Sequence, residues 1–342
     1  MRTITIIGSG VMGSAMSFPC RENKHTVRLV GTMLDREIIA HAKQTGYHLK
    51  LQRKLPDGVT YYQLEELEQA LDGADLIISG VSSFGVEWFA EEIIPLLPPE
   101  VPVLSVTKGM FHAGDGSLLS YPKYYDQKAP GRHFCAVGGP CTSYELADFD
   151  RTHICFCGHD MEILRGIKGL LETSFYHISL TTDVEGLECA VAMKNVYALA
   201  VTLAVGLSLK ADNTLHYNSQ AALFGQSVRE MQKLLDLFGC GADNIVFGAG
   251  DLYVTVFGGR TRKIGTLLGQ GYSFEAAMAE LDGVTLESIV IATRTGEAVK
   301  ALIRAGKAKA EEFPLLLHVY DIITQGAEVD IPWNAFETEA IV

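Results

Sequence analysis

The stretch TITIIGSGVMGSAM, at residues 3–16, constrains the fold of this chain more than any other. It places a GxGxxG pattern directly after a β-rich apolar run and at the start of a helical pattern. In a strand–turn–helix unit, these glycines allow a tight turn, the close approach of a diphosphate, and close packing of the helix on the strand. The diphosphate then lies at the helix N-terminus. The stretch therefore predicts a dinucleotide site in a glycine loop formed by Gly8, Ser9, Gly10, Val11, Met12 and Gly13.

The distribution of strand-like and helical patterns divides the chain in two. Strands are predicted in TITII, TVRLV, DLIISGV, VPVLSV, HFCAV, HICFC and FYHISL, separated by helices, which is typical of βαβ units and a mostly parallel sheet. Long helices are predicted later, at about 184–209, 214–238, 273–282, 286–305 and 312–325. The sequence thus predicts an α/β chain, with a Rossmann-like, doubly wound dinucleotide-binding domain at 1–183 and an all-helical substrate and catalytic domain at 184–342. A cleft is expected between them.

Composition excludes several classes of function. With 342 residues, 48% of them hydrophobic, the chain can bury a large core. A formal net charge of −13 argues against a general nucleic-acid or anionic-membrane surface, although a local basic pocket can still bind a small anion. The longest uncharged apolar run, residues 196–209, is shorter than the ~18 residues of a membrane helix, so no membrane insertion is predicted.

Cysteine and histidine patterns are equally restrictive. Seven cysteines form no CxxC pair, which favours free thiols and a cytoplasmic protein. No signal peptide is predicted at the N-terminus. The histidines show no metal-ligand spacing such as HExxH, so no metal is predicted.

The sequence leaves the choice between NAD and NADP open. An Asp or Glu that binds the ribose of NAD usually ends the second strand, but residues Val30–Thr32 occupy that place here. Arg28 and Arg36 are candidate partners of the NADP 2′-phosphate, or else solvated surface residues. Pro19 is predicted to kink or end the first helix.

Two predicted strand ends carry candidate ligand-binding groups. Lys108, in VLSVTKGM, follows a strand of the predicted sheet, and ligands of open α/β sheets bind outside the carboxyl ends of the strands. Simple solvent exposure is the alternative for this lysine. The run VGGPCTSYELA, residues 137–147, repeats the arrangement of strand, tight turn and helix.

The stretch GLECAVAMKNVYALA, residues 186–200, places a lysine inside an apolar helical pattern. Burying an unpaired ammonium group costs several kcal/mol, so Lys194 must extend to solvent, pair with a carboxylate or face a polar cleft. Asn195 beside it also needs partners when buried, which favours the cleft.

The stretch GAGDLYVTVFGGRTRKIGTLLGQG, residues 248–271, combines an isolated acid with three cations. Arg260, Arg262 and Lys263, flanked by glycines, predict a phosphate-binding loop, with an exposed basic loop as the alternative. Asp251 is the natural charge partner of Lys194, and such a pair can serve as an acid/base unit.

Together these motifs resemble the NAD(P)-dependent glycerol-3-phosphate dehydrogenase family, over nearly the whole chain and in the family's order. The matching motifs are the glycine loop, VTKG, GPCTSYELA, MKNVYALA, GDLYVT, GGRTR and VTLES. The resemblance implies an oxidoreductase that interconverts sn-glycerol 3-phosphate and glycerone phosphate by hydride transfer at C2, with NAD or NADP. It also implies a homodimer.

The resemblance further implies the roles of individual residues. The implied catalytic residues are Lys194 as general acid/base, Asp251, Lys108 and Asn195. The implied substrate-binding residues are Lys108, Lys194, Thr255, Arg260 and Thr261. The implied cofactor-binding residues are those of the glycine loop with Lys108, Arg260 and Glu287.

Several residues depart from the family pattern. Thr261 replaces an Asn, Gln220 replaces a Lys or Arg, Ser288 replaces a Gly, and FGQSVREM lacks the usual Thr-Arg-Gly. These differences leave open a reductase of a different phosphorylated 2-ketose. A dinucleotide-binding sensor without catalysis is a third hypothesis.

Overall fold

The computed structural model describes residues 1–112, 118–281 and 287–337. Two compact units are present. The first contains Met1–Phe111 and Leu118–Glu188, and the second contains the chain from Cys189 onward.

The first unit contains an eight-stranded sheet. The strands of the chain are β1 (Thr3–Ile7), β2 (Thr26–Val30), β3 (Tyr47–His48), β4 (Arg53–Lys54), β5 (Val59–Tyr62), β6 (Leu76–Ser79), β7 (Val103–Ser105), β8 (Met110–His112), β9 (Leu118–Ser120), β10 (Phe134–Gly138), β11 (Thr152–Cys157) and β12 (Tyr176–Thr181). The order in the main sheet is β12-β11-β10-β7-β6-β1-β2-β5. Neighbouring strands are parallel except β10 and β11. The predicted mostly parallel sheet is confirmed.

Both faces of this sheet are covered. Successive side chains of a strand point to opposite faces. Ile4 and Ile6 of β1 accordingly belong to one buried cluster, whereas Ile7 belongs to another together with Ile77 and Val103. The strand therefore places isoleucine side chains on both faces of the sheet, as is typical of a parallel sheet that is covered on both sides.

The helices are α1 (Val11–Ala15), α2 (Ser17–Glu22), α3 (Arg36–Thr45), α4 (Leu67–Leu71), α5 (Val86–Trp88), α6 (Tyr121–Lys128), α7 (Ser143–Ala147), α8 (Met161–Leu171), α9 (Val184–Asp212), α10 (Tyr217–Leu237), α11 (Ile245–Val256), α12 (Gly259–Gly269), α13 (Phe274–Ala279), α14 (Glu287–Arg304) and α15 (Pro314–Gln325). A π-helical turn, Phe89–Ile93, continues α5. The helical C-terminal part predicted from the sequence is confirmed. The break between α1 and α2 falls at Met16, because Pro19 has no N–H for the carbonyl of Ala15.

Helix α9 forms the centre of the second unit. Among the described helices it is the one that is long and apolar enough to cross a membrane, with a mean hydropathy of 1.6 over its most apolar window. However, 89% of that window is buried inside the structure. The apolar character of α9 is therefore explained by its place in the core.

A buried carboxylate links three helices of this unit. Glu230 of α10 accepts hydrogen bonds from the amides of Leu315 and Leu316, at 2.8 and 2.9 Å, in the first turn of α15. It also accepts one from the Tyr197 hydroxyl of α9 at 3.2 Å. Burial raises the pKa of Glu230 to about 7, and the hydrogen bonds act in the opposite direction. Amides at a helix N-terminus lack partners within the helix, so Glu230 supplies an acceptor that α15 needs.

The glycine-rich stretch at residues 248–271 was predicted to be a loop, and this prediction is wrong. Most of it forms α11 and α12. Two of its glycines lie where α12 packs closely against α9. A Cβ at Gly269 would lie 2.1 Å from the carbonyl oxygen of Leu203, and one at Gly265 would lie 2.0 Å from the Thr202 hydroxyl. Because α12 crosses α9 at this distance, glycine at these two positions is required for packing and not for a turn.

We expect Gly269→Ala to destabilise the protein by about 1–3 kcal/mol, because the new methyl group meets backbone that cannot move aside. The matched control is Gly225→Ala, at an exposed position of α10 where nothing lies within 4 Å of the new methyl group. That change should stabilise the protein by up to about 1 kcal/mol, since alanine is the better helix former. Thermal unfolding midpoints measure both. Midpoints that move in the same direction would contradict the proposed packing role.

Candidate active site

The glycine loop has a shape that suits a dinucleotide. Gly8 has φ +105°, and a Cβ there would lie 2.7 Å from the Gly80 carbonyl carbon. A Cβ at Gly13 would lie 2.2 Å from the Gly8 oxygen. Above Gly10 the space is open, since a Cβ there would meet only the Gly80 oxygen, at 3.8 Å. The loop is therefore held against the end of β6 and leaves room at Gly10 for a diphosphate, as the fingerprint requires.

The two arginines considered for an NADP phosphate have protein partners. The Arg28 guanidinium donates to the carbonyl oxygens of Ala70 and Asp72, at the end of α4. Arg36 pairs with Glu65, and both side chains are exposed. The structure thus gives each arginine a role that needs no cofactor.

An acid does lie near the glycine loop, although β2 does not end with one. The Asp35 carboxylate, at the start of α3, accepts hydrogen bonds from the Ser9 amide at 3.2 Å and from the Thr32 hydroxyl at 2.8 Å. Asp35 is buried. Sequence reasoning missed it because it comes five residues after Val30, beyond the usual place of the ribose-binding acid.

Lys108 lies where parallel strands end together. Its ammonium group donates to the Gly139 carbonyl oxygen, at 2.6 Å, which joins the segment after β7 to the segment after β10. The adjacent Thr107 hydroxyl donates to the Val81 carbonyl oxygen, at 2.6 Å, which joins it to the segment after β6. Lys108 is half-buried and held at the carboxyl edge of the sheet, where such folds bind ligands.

A buried carboxyl group near Lys108 escaped the sequence analysis. Glu188 is fully buried, and the backbone of Tyr121 is the one hydrogen-bond partner of its carboxyl group within the described part of the chain. Burial raises the pKa of Glu188 well above its usual range, and the positive charge of Lys108 offsets this shift only in part. Glu188 thus retains its proton to a higher pH than an ordinary glutamic acid. An acid inside the apolar run LECAV was its one sequence signal.

Lys194 and Asp251 form an ion pair inside the second unit. The Lys194 ammonium lies 2.7 Å from the Asp251 carboxylate, and the two side chains are 13% and 1% exposed. Gly248 makes the pair possible. A Cβ at this residue, one turn before Asp251, would lie 2.9 Å from the Ala190 carbonyl oxygen, so α11 and α9 approach closely there. Asn195 is also buried.

Thr255 follows Asp251 by one helical turn on α11 and is half-buried. Its hydroxyl donates to the Asp251 carbonyl oxygen at 2.7 Å, which leaves the hydroxyl oxygen free to accept another hydrogen bond. Residues one turn apart share a helix face. Thr255 therefore extends the face of α11 that carries Asp251.

The three cations of the predicted phosphate loop have different environments. Arg262 donates to the Val256 carbonyl oxygen at 2.7 Å, and Lys263 donates to the Glu280 carbonyl oxygen at 3.1 Å. Both side chains therefore bind carbonyl groups at the C-terminal ends of neighbouring helices, α11 and α13. Arg260 is exposed in the first turn of α12, where no side chain caps the helix. The anion-binding potential predicted for three cations thus lies mainly with Arg260 and the first amides of α12.

The remaining predicted positions lie in the helices α10, α12 and α14. Thr261 is half-buried in the first turn of α12. The Gln220 side chain donates to the His216 carbonyl oxygen at 2.9 Å, within the start of α10. Glu287 begins α14, but its side chain lies outside the described part of the structure.

Comparison with known proteins gives matches along almost the entire chain. The family model of the NAD-dependent glycerol-3-phosphate dehydrogenase N-terminus matches residues 3–164, and that of the C-terminus matches residues 183–333. An NADP(+)-dependent glycerol-3-phosphate dehydrogenase of Archaeoglobus fulgidus is 32% identical over 334 residues, which is 96% of each chain. A glycerol-3-phosphate dehydrogenase [NAD(P)+] of Koribacter versatilis is 27% identical over 95% of this chain and 94% of the relative.

Solved structures agree in fold. Glycerol-3-phosphate dehydrogenase of Plasmodium falciparum superposes with a TM-score of 0.84 at 20% identity, over 100% of this chain and 96% of that one. The enzyme of Coxiella burnetii gives 0.78 at 21% identity, over 98% and 97%. At these identities the likeness concerns the fold alone, so family membership rests on the sequence matches. The chain belongs to the NAD(P)-dependent glycerol-3-phosphate dehydrogenase family.

Proposed function

We propose that this chain interconverts sn-glycerol 3-phosphate and glycerone phosphate, and that Lys194 is its general acid/base. The observation that carries the assignment is the buried pair of Lys194 and Asp251, 2.7 Å apart. A lysine that only needed solvent would not require a carboxylate that is 1% exposed. The matched relatives described above are named for this activity, and none of them for another ketose phosphate.

Lys194 acts on the oxygen at substrate C2. In the reductive direction its ammonium group donates a proton to the oxygen as negative charge develops there. In the oxidative direction its neutral form removes the hydroxyl proton. Asp251 holds the side chain in place and stabilises its charged form, and Asn195 supplies a neutral amide for orientation. The nicotinamide, when bound, supplies or accepts the hydride at C2.

Arg260 binds the substrate phosphate in this proposal. Its guanidinium is exposed, and it lies in the uncapped first turn of α12, where the helix dipole favours an anion. Thr255 and Thr261 supply further hydroxyl groups from α11 and α12. Binding energy at the phosphate, which takes no part in the reaction, then positions C2 and serves catalysis as well as affinity.

In the first unit, the glycine loop and Lys108 serve the cofactor. The open space above Gly10 accommodates the diphosphate, and Lys108 lies at the carboxyl edge of the sheet. We assign Arg260 and Glu287 to the cofactor as well, following the family pattern. Cofactor use by the family covers both NAD and NADP.

We also propose a cytoplasmic location and a homodimer. All seven cysteines are free thiols, five of them buried, which suits a reducing compartment. The homodimer follows from the family resemblance.

Lys194→Met should lower kcat for glycerone phosphate reduction by at least about 100-fold, the usual contribution of a general acid. Because this change removes the ammonium partner of the buried Asp251 carboxylate, it should also destabilise the protein, by up to about 3–5 kcal/mol. The double variant Lys194→Met/Asp251→Asn also removes the carboxylate charge and should regain stability without regaining turnover. Near-normal kcat in either folded variant would refute the assignment of Lys194.

Arg260→Ala should raise KM for glycerone phosphate by about 10- to 100-fold, since hydrogen bonds to a charged group contribute about 1.5–3 kcal/mol. The rate with unphosphorylated dihydroxyacetone should change little. Lys263→Ala is the matched control, because it removes the same charge from the same helix at a residue bound to the Glu280 carbonyl oxygen. Equal effects of the two variants would show that only the general charge of α12 matters.

A further inference from the structure

The backbone of Ser9, the middle residue of the turn between Gly8 and Gly10, is held from both sides. Its N–H donates to the Asp35 carboxylate at 3.2 Å. Its carbonyl oxygen lies 2.8 Å from Nε2 of His48. All three residues are buried. Neither Asp35 nor His48 belongs to the GxGxxG motif, so both contacts come from segments that follow β2.

The hydrogen bonds of His48 identify its tautomer. Nδ1 accepts a hydrogen bond from the Leu51 amide at 2.8 Å, so this nitrogen carries no proton. Nε2 must then carry the ring proton and donate it to the Ser9 carbonyl oxygen. Both ring nitrogens are used, and the ring is neutral.

Asp35 is fixed as firmly as His48. The same carboxylate oxygen that binds Ser9 also accepts hydrogen bonds from the Thr32 amide at 3.0 Å and the Thr32 hydroxyl at 2.8 Å. The peptide groups on both sides of Ser9 are therefore oriented by side chains that cannot rotate freely. A loop held in this way needs little reorganisation when a ligand binds.

We propose that His48 is a positioning residue for the dinucleotide, that its Nε2–H fixes the Ser9 carbonyl and with it the shape of the glycine loop, and that protonation of His48 weakens cofactor binding. The inference rests on the assignment of the glycine loop to the cofactor. It assigns no contact between His48 and the cofactor itself.

Protonation acts through the second ring nitrogen. A proton on Nδ1 would face the Leu51 N–H, so two donors would point at each other and the ring would have to move. Burial lowers the pKa of His48 below its ordinary value of 6.5. The Ser9 carbonyl oxygen and the charge of Asp35 raise it to a smaller extent, and the charge of Lys50 lowers it.

The sign of the pH effect follows from this lowered pKa. Well above pH 6.5 the ring is neutral in both the folded and the unfolded chain. As the pH falls below 6.5, the unfolded chain binds a proton before the folded one does, so the contribution of His48 to stability decreases. Cofactor affinity should be constant at neutral pH and fall in acid, as the folded protein takes up the same proton.

A pair of substitutions separates the two hydrogen bonds of the ring. Glutamine places an amide N–H near the position of Nε2 and can still donate to Ser9. Asparagine places an acceptor near the position of Nδ1 for the Leu51 amide, but is too short to reach Ser9. His153→Asn serves as the control, because His153 is an exposed residue on β11 of the same unit.

The experiment measures Kd for NADH and for NADPH by cofactor fluorescence between pH 8 and 5.5, with unfolding midpoints for every variant. His48→Asn should weaken binding of both cofactors by about 10-fold or more at pH 8, because the Ser9 carbonyl loses its donor. It should raise KM for the cofactor more than it lowers kcat. His48→Gln should stay within about threefold of the unaltered protein, and His153→Asn should not differ from it.

If His48→Asn does not fold, the pH dependence of Kd in the unaltered protein and in His48→Gln tests the role of His48. The unaltered protein should lose affinity in acid, whereas His48→Gln, which has no ring to titrate, should lose less. An equal loss in both proteins would overturn the inference, as would unchanged Kd values in folded His48→Asn. If the unaltered protein bound neither cofactor at any pH, the assignment of the glycine loop would fail together with the inference.

Discussion

A charge pair buried among apolar helices is the interaction on which the second unit depends. Removing Lys194 and Asp251 from water costs several kcal/mol per ion, and only a short, well-aligned contact offsets that cost. The contact is 2.7 Å long. It exists because Gly248 lets α11 approach α9 to a distance that any side chain would prevent. The ion pair therefore depends on the lack of a side chain at Gly248 of α11.

In the first unit, polar side chains are held in place by backbone carbonyl groups. Segments that follow three different strands meet at the carboxyl edge of the sheet and are joined through main-chain carbonyls. Lys108 is bound to Gly139, and Thr107 to Val81. Because these acceptors belong to the backbone, a substitution at Val81 that preserves the chain path would keep its hydrogen bond, whereas Gly139, with φ +113°, is restricted to glycine by its own conformation.

The features that the sequence predicted correctly are those that local pattern determines. The predicted strands and the parallel sheet follow from apolar runs spaced by helices, and the glycine loop follows from its position directly after β1. The helices within residues 248–271 were not predicted, because the sequence shows where the glycines lie but not which contact or turn each glycine permits. A glycine that permits a turn and one that permits a helix contact look the same until the partner helix is known, here α9.

Other parts of the site depended on contacts that no local pattern records. Arg262 and Lys263 read as ligands together with Arg260, yet each binds the end of a neighbouring helix. Glu188 and His48 gave almost no signal, since a single buried acid and a single buried histidine are common in protein cores. Their importance comes from neighbours distant in the sequence, such as Ser9, 39 residues before His48.

The crossing of α9 and α12 also determines which motions are available around the first turn of α12, which carries Arg260. Helices that pack through interdigitated side chains can slide past each other by small steps. Here the backbones of Gly206 and Gly269 are in close contact, because a Cβ on Gly206 would lie 2.7 Å from the Gly269 Cα. Sliding α12 along α9 would drive bulkier neighbours into the backbone. Any change of shape around the first turn of α12 must therefore come from rotamers of the long Arg260 side chain, while α12 itself stays locked to α9.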